Sequence, residues 1–450
     1  MTDLERAYSA ITSKAIYAKY FGYYDGDQPI MYASRRLEEI FANLDAVFTE
    51  NWCSVVIDAC LDRISLTGFE AGPYQERADT IIQDNELLLE ADTIHEAALV
   101  CGEAFAIVWP DESGAPKVYY NDPRMVAVFY DGDNPRRMTM AAKLHQADDS
   151  TWRITLYYAD RIEYYVSTKS DISSAAAFQP ALEPMATNPY GQIPVFHFRP
   201  SRRIIKSDLK NVIPLQNGIN KLLTDMMVAA EFGAFKQRYI ISNVDTRGKV
   251  RNAPNEIWDL PAGDGVGQQT SVGEFSATDL NNYLLAVDNL AAAISSVTNT
   301  PRHYFFSSGG VPSGEALIVM EAPLNKKAQD RIEMFTPTWQ AVIAFALFVD
   351  GVNADQEEIM PVFTEPETIQ PKTSTEISQM RVAMGVPLNT ALKREGWTQA
   401  ELDAMADDQA EAQMSSQGSL ALALMNAERQ FNAGDQEREA QVEENANPAI

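Results

Sequence analysis

The residue types that could perform chemistry are few in this sequence, and their spacing does not suit catalysis. None of the four histidines lies at metal-site spacing or beside a candidate nucleophile; they are His95, His145, His197 and His303. Asp131 and Asp133 in the string DGDNP could hold a metal ion for a nuclease, but this composition favours a hairpin turn. The glycine-rich string GDGVGQ (263–268) is not followed by lysine and predicts a turn, not a phosphate-binding loop. We expect no enzyme activity, cofactor or metal site.

The three cysteines form neither a disulfide framework nor a metal motif. Cys53 and Cys60 fall on one face of a predicted helix and Cys101 stands apart, so buried packing is the simpler interpretation. The sequence does not open with a signal-peptide pattern, and the longest apolar run, 339–349, is too short to cross a bilayer. We expect a soluble protein that is made in the cytoplasm and does not contact a membrane.

The charge balance argues against a general nucleic-acid-binding protein. The sequence has 63 acidic and 36 basic side chains, a formal net charge of -27. Proteins that grip DNA gain affinity by neutralising phosphates, so most of this surface should repel DNA. A protein that lets DNA slide past without sticking is compatible with this charge.

Basic residues nevertheless cluster in three places. These are FRPSRRIIKSDLK (198–210), KQRYIISNVDTRGKVR (236–251), and the group Arg302, Lys326, Lys327 and Arg331. For any single residue, an ion pair with an acidic neighbour is the simpler explanation. As clusters, the second favours docking of a partner protein, and the third favours transient contact with phosphates.

Hydrophobic periodicity predicts the elements that position these residues. Helical spacing predicts helices within 1–70 and over 94–104, and period-two alternation predicts an antiparallel sheet over 104–167. The segment 168–192, rich in serine, alanine and proline, predicts a loop before a strand.

Long helices dominate the rest of the chain. Two of them, 207–236 and 277–299, flank a β-rich insert, and a third over 314–350 contains two prolines where we expect kinks, Pro323 and Pro337. Asn, Gln, Thr and Asp are scattered around these helices, which does not suit solitary core helices. We expect them to pack side by side in a ring, with one face toward a wet channel.

Several strings, in this order, are similar to the portal proteins of tailed bacteriophages, as found in siphophages of Gram-positive hosts. They include YYDGDQPI (23–30), SDLKNVIPLQNGINKLLTDMM (207–227), NTPRHYF (299–305), VPSGEALIVMEAPL (311–324) and MGVPLNTALKREGW (384–397). Together these strings span most of the chain in the family's order.

The resemblance implies a mixed α+β portal fold, mainly helical, that assembles as a ring. Its parts are an antiparallel β wing over 1–206 and 300–372, stem helices 207–236 and 277–299, a small β-containing clip 237–276, and a helical crown 373–430. A tunnel loop, 302–313, and the long helix 314–350 belong to the second part of the wing. The segment 431–450 is acidic and predicts a disordered tail.

The function that the resemblance implies is a channel at one capsid vertex for packaging, retention and ejection of viral DNA. Implied partners are further copies of the chain, usually twelve, double-stranded DNA in transient contact, the terminase large subunit, a head–tail adaptor, and major capsid and scaffolding proteins. The protein would be a virion component assembled in the host cytoplasm. The alternative is another virion protein, such as a head–tail adaptor or minor capsid protein, but adaptors are usually much smaller.

Two groups of site residues follow. The tunnel loop and the helix after it would face DNA through Arg302, His303, Tyr304, Phe305, Phe306, Ser307, Ser308, Gly309, Gly310, Lys326 and Lys327. The three aromatic residues could equally pack in the core of the wing. The clip would dock partners through Lys236, Arg238, Arg247, Lys249, Arg251 and Trp258.

Overall fold

The computed structural model describes residues 1–29, 50–147, 151–167, 172–234, 238–241, 271–274, 279–305, 313–366, 371–394, 397, 401–402, 404–406 and 408. The chain divides into two compact units, Met1–Glu367 and Thr368–Ile450. All the described strands lie in the first unit.

Short helices open the first unit. α1 (Asp3–Thr12) begins at a capping box, in which Thr2 and Glu5 satisfy each other's backbone N–H groups. The next helices are α2 (Ile16–Asp25), α3 (Trp52–Leu61), α4 (Gln75–Asp84) and α5 (Leu87–Cys101). α5 is longer than the predicted helix 94–104. The three cysteines are all buried and free, so the packing interpretation is confirmed.

Three antiparallel sheets follow from the alternating segments. β1 (Leu66–Glu70) pairs with β12 (Met360–Phe363). A three-stranded sheet has β2 (Ala104–Pro110) between β3 (Pro116–Asn121) and β9 (Val195–Phe198). A five-stranded meander contains β4 (Val126–Tyr130), β5 (Met138–Gln146), β6 (Trp152–Tyr157), β7 (Arg161–Ser167) and β8 (Gln179–Thr187). The predicted antiparallel sheet over 104–167 is confirmed, although it is divided between two sheets.

The predicted loop over 168–192 is wrong for Gln179–Thr187, which forms β8 and pairs with β7. β8 is an outer strand of its sheet and is exposed on both faces for most of its length. It therefore lacks the alternation that identifies a half-buried strand, and its prolines are tolerated because an outer strand pairs on one side. These two properties explain why the sequence resembles a loop.

Two long helices, α6 (Ile213–Ala234) and α7 (Asn281–Thr298), pack against each other. α6 begins at Ile213 and not at the predicted Ser207, whose hydroxyl instead accepts from Leu209 N in a turn. Pro214, which lacks an N–H, suits the first turn of a helix and explains the later start. α7 ends at Thr298, one residue before the predicted end, and Asn299 takes the left-handed conformation at φ 59°.

A two-stranded antiparallel sheet lies between α6 and α7 in the chain. It pairs β10 (Arg238–Ile241) with β11 (Ser271–Glu274). The Tyr239 ring covers Gly273, so that a side chain at position 273 would collide with it. The predicted β-rich character of the insert is confirmed for these strands.

The longest helix, α8 (Gly314–Val349), continues through Pro323 and Pro337. Its N-cap is Ser313, whose hydroxyl accepts from Ala316 N at 3.3 Å. Among the described helices, α8 is the only one that is long and apolar enough to cross a bilayer. Its second half, however, contributes buried side chains to the protein core, including Trp339, Val342, Ile343, Phe345 and Leu347. Core packing accounts for its hydropathy.

The second unit begins with α9 (Pro371–Ala383) and α10 (Leu388–Arg394). These helices agree with the predicted helical character of 373–430. Assignment of this unit to a crown stays a prediction.

Candidate functional site

A buried network of amide side chains holds the start of α6. Gln216 and Asn220 lie one turn apart and are almost inaccessible to solvent. Gln216 Oε1 accepts from Trp52 N at 3.1 Å, and its Nε2 donates to Asn220 Oδ1 at 3.0 Å. Asn220 Nδ2 donates to Gln28 Oε1 at 2.6 Å. Gln216 and Asn220 thus fix α6 to the start of α3 and to the segment after α2.

The contact between α6 and α7 is close at Gly218. A Cβ atom at this position would lie 3.2 Å from Leu290 Cδ1, so glycine allows the two helices to approach. Val287, Ala291 and Ile294 form the buried face of α7.

Other apolar side chains of these helices are uncovered. On α7, Leu285 is 60% exposed and Leu284 is also exposed; near the start of α8, Val319 is 73% exposed and Ile318 and Met320 are also exposed. Exposed apolar side chains that cluster on long helices are typical of a protein contact surface.

The base of the predicted tunnel loop is anchored in the core. The Arg63 guanidinium donates to Tyr304 Oη at 2.8 Å and pairs with Glu321 at 2.8 Å. His303 Nε2 lies 3.5 Å from Glu321. Phe305 is buried against Trp52, with ring centroids 5.7 Å apart. For Tyr304 and Phe305, the structure favours the packing interpretation.

Lys326 and Lys327 have different surroundings although they are adjacent on α8. The Lys326 side chain is 68% exposed and pairs with Asp330 at 2.6 Å. The Lys327 side chain is 11% exposed and lies 2.9 Å from Asp208, which also accepts from Arg331 at 3.0 Å. Burial opposes ionisation of Asp208, but the charges of Lys327 and Arg331 hold its pKa below the usual value. Lys327 thus joins α8 to the segment before α6, while Lys326 is open to solvent.

Arg302 is exposed at the base of the tunnel loop. Of the predicted docking residues, Arg238 begins β10 opposite Glu274. The remaining site residues lie outside the described part of the chain: Phe306, Ser307, Ser308, Gly309, Gly310, Lys236, Arg247, Lys249, Arg251 and Trp258. Their roles stay predictions.

A buried polar cluster that the sequence did not reveal lies where α2 meets the sheets. Glu103 accepts from Lys14 Nζ at 2.6 Å and from Tyr17 Oη at 2.7 Å, and it lies 2.8 Å from His197 Nε2. On the other side of the ring, His197 Nδ1 lies 2.9 Å from Tyr130 Oη. Burial lowers the pKa of His197, which is therefore neutral at neutral pH. The residues of this polar cluster are far apart in the sequence and belong to no common motif, so no signal in the sequence could have identified it.

The string DGDNP forms the turn between β4 and β5, as predicted. Asp131 accepts from Asp133 N at 2.9 Å, and its backbone N–H donates to Arg137 O. The described residues contain no group of three or more histidine, cysteine, aspartate or glutamate side chains that could hold a metal ion.

Comparison with known proteins decides the family. Residues 16–415 match the family model described as phage portal protein, SPP1 Gp6-like. The chain belongs to this phage portal protein family. It is similar to the portal protein of Mycobacterium phage D29, with 27% identity over 151 residues that cover 32% of this chain and 31% of that protein. It is also similar to the portal protein of Mycobacterium phage L5, with 30% identity over 101 residues that cover 22% and 21%.

The matched stretches span less than a third of either relative's length. Membership therefore rests on the family match, which covers most of the chain. The resemblance inferred from the sequence strings is confirmed at the level of the family.

Proposed function

We propose that this chain is the subunit of a closed ring that forms the DNA channel at one capsid vertex of a tailed phage. DNA would pass through it during packaging and ejection and be retained between these steps. The ring would be assembled in the host cytoplasm and would dock the terminase large subunit, then a head–tail adaptor, with capsid and scaffolding proteins around it. No step assigned to the chain itself needs catalysis.

The observation that carries the ring is the uncovered apolar surface of the long helices. Leu285 and Val319 expose most of their side chains in the single subunit, on helices whose other faces are buried. Repeated contact between neighbouring copies would cover such side chains, and a head-to-tail contact of this kind closes into a ring.

DNA contact is proposed for the exposed cations near the tunnel loop. Arg302 and Lys326 are accessible to solvent, whereas Lys327 is buried with Asp208 and is not part of this proposal. Because the chain carries a net charge of -27, we expect contacts with passing phosphates to be few, weak and sensitive to salt. The insert between α6 and α7 is proposed as the docking site for terminase and adaptor.

Electron microscopy and mass photometry of the purified chain test the ring. Wild type should show rings with a central hole. Leu285→Asp combined with Val319→Asp should raise the concentration at half-assembly by at least about tenfold, because both charges would be buried in the contact.

The matched control is Leu89→Asp, which changes an exposed leucine of α5 to the same charge. It should assemble as wild type does. Wild-type protein that remains monomeric over a wide range of concentrations and salts, including in the presence of scaffolding protein, would refute the proposed function.

A further inference from the structure

A basic pocket lies where the segment before α6 meets the end of α7 and the middle of α8. Its volume is about 410 Å³. Its walls carry five cationic side chains and two carboxylates, which are Arg203, Lys206, Lys326, Lys327 and Arg331, and Asp208 and Asp330. The pocket thus has an excess of three positive charges, although the chain as a whole has a net charge of -27.

The two carboxylates are already engaged with three of the cations. Asp208 pairs with Lys327 and Arg331, and Asp330 pairs with Lys326. In the described part of the chain, Arg203 and Lys206 have no carboxylate within ion-pair distance. These two side chains are therefore available to an acidic group from outside the subunit.

The rim of the pocket is apolar. Ile204 and Val297 line it, and both are exposed. A DNA backbone would offer phosphates to the cations but no apolar surface to these two side chains, whereas a protein surface offers both. The combination favours an acidic protein segment as the occupant.

We propose that this pocket binds acidic side chains of a second copy of the chain, so that it is a contact between neighbouring subunits. The inference rests on the proposed ring, which brings copies together. With 63 acidic side chains in each copy, the charge of a neighbour complements the pocket. Charged groups of this kind guide two surfaces into one register and exclude others.

Charge reversal tests the contact. Arg203→Glu with Lys206→Glu should raise the concentration at half-assembly by at least about tenfold, because like charges would then face each other. The control is Arg136→Glu with Arg137→Glu in the turn between β4 and β5, which makes the same change of charge and should assemble as wild type does. Circular dichroism and thermal unfolding should show that both variants fold, since Arg203 and Lys206 hold no ion pair within the subunit and the Arg137–Asp131 pair, at 3.8 Å, is exposed.

Carbodiimide crosslinking identifies the partner directly. In rings assembled from isotopically labelled and unlabelled copies, Lys206 should become joined to a carboxylate of a differently labelled copy. Crosslinks confined to single copies would contradict the proposal.

The other possible results distinguish failure of the pocket proposal from failure of the proposed ring. Rings of equal stability in the charge-reversed variant and the control would overturn the pocket contact and leave the proposed function standing. Wild-type protein that forms no rings would overturn both. Loss of short-duplex binding in the variant with unchanged ring stability would assign the pocket to DNA phosphates and overturn the contact.

Discussion

Replacement of Glu103 by glutamine tests whether the buried polar cluster stabilises the first unit. The Glu103 side chain is 2% exposed and receives the Lys14 ammonium at 2.6 Å. Glutamine keeps the shape and one acceptor oxygen but leaves that ammonium buried without an opposite charge. Removal of one partner of a buried ion pair is strongly destabilising for this reason.

The magnitude follows from the pKa of Glu103. Burial opposes ionisation, but the hydrogen bond from His197 and the charge of Lys14 outweigh it and lower the pKa from 4.5 to about 2. At about 1.4 kcal/mol per pH unit, the lowered pKa of Glu103 corresponds to roughly 3 kcal/mol of folding free energy at neutral pH. Because the folded pKa lies below the unfolded one, this contribution is present above about pH 4.5 and is lost as the pH falls toward about 2.

Urea unfolding followed by tryptophan fluorescence measures this effect. Glu103→Gln should lower the free energy of unfolding by roughly 3 kcal/mol at neutral pH, and the difference from wild type should shrink as the pH falls through about 4. Glu112→Gln, in the exposed turn between β2 and β3, is the matched control and should change little. A loss below about 0.5 kcal/mol at neutral pH, or a loss that does not depend on pH, would refute the reasoning.

Two further predictions concern α6 and α8. Gly218→Val should lower the stability by about 1–3 kcal/mol, because the new side chain would meet Leu290 across the helix contact, and thermal unfolding measures the loss; a melting temperature equal to that of wild type would show that the helices can separate freely. Lys327→Met should cost about 1–3 kcal/mol, since Asp208 would lose a buried partner, whereas Lys326→Met should stay within about 0.5 kcal/mol. Equal effects of the two lysine changes in urea unfolding would contradict the different surroundings described for them.

The features predicted correctly are those that depend on neighbouring residues. The end of the helix predicted over 277–299, the start of the helix predicted over 314–350 and the hairpin turn at DGDNP agree with the structure within a residue, because the signals for each act within one turn of backbone. β8 was missed because its pattern depends on its place at the edge of a sheet. Among the described strands β8 pairs only with β7, and a strand paired on one side and exposed on both faces shows no alternation in its sequence.

The polar residues of the long helices show a second limit of prediction from the sequence. Gln216 and Asn220 are two of the amides that are scattered along these helices, and both are buried. Their partners are Trp52 N, at the start of α3, and Gln28, in the segment after α2. A buried amide is stable wherever its hydrogen bonds are satisfied, so its residue type alone does not indicate which surface it occupies.

The basic clusters show why the site was harder to predict than the fold. The sequence separates 198–210 from the lysines and arginine of α8, yet the fold joins them, and Arg331 donates to Pro200 O at 2.6 Å. The same contact changes which cations are accessible. Asp208 pairs with Lys327 and Arg331, and both of these side chains are largely buried. The cations left without an internal partner in this pocket, Arg203 and Lys206, come from the first cluster, which had been given no role. Counting basic residues along the chain therefore does not show which of them are available to a partner, since availability depends on ion pairs formed across the fold.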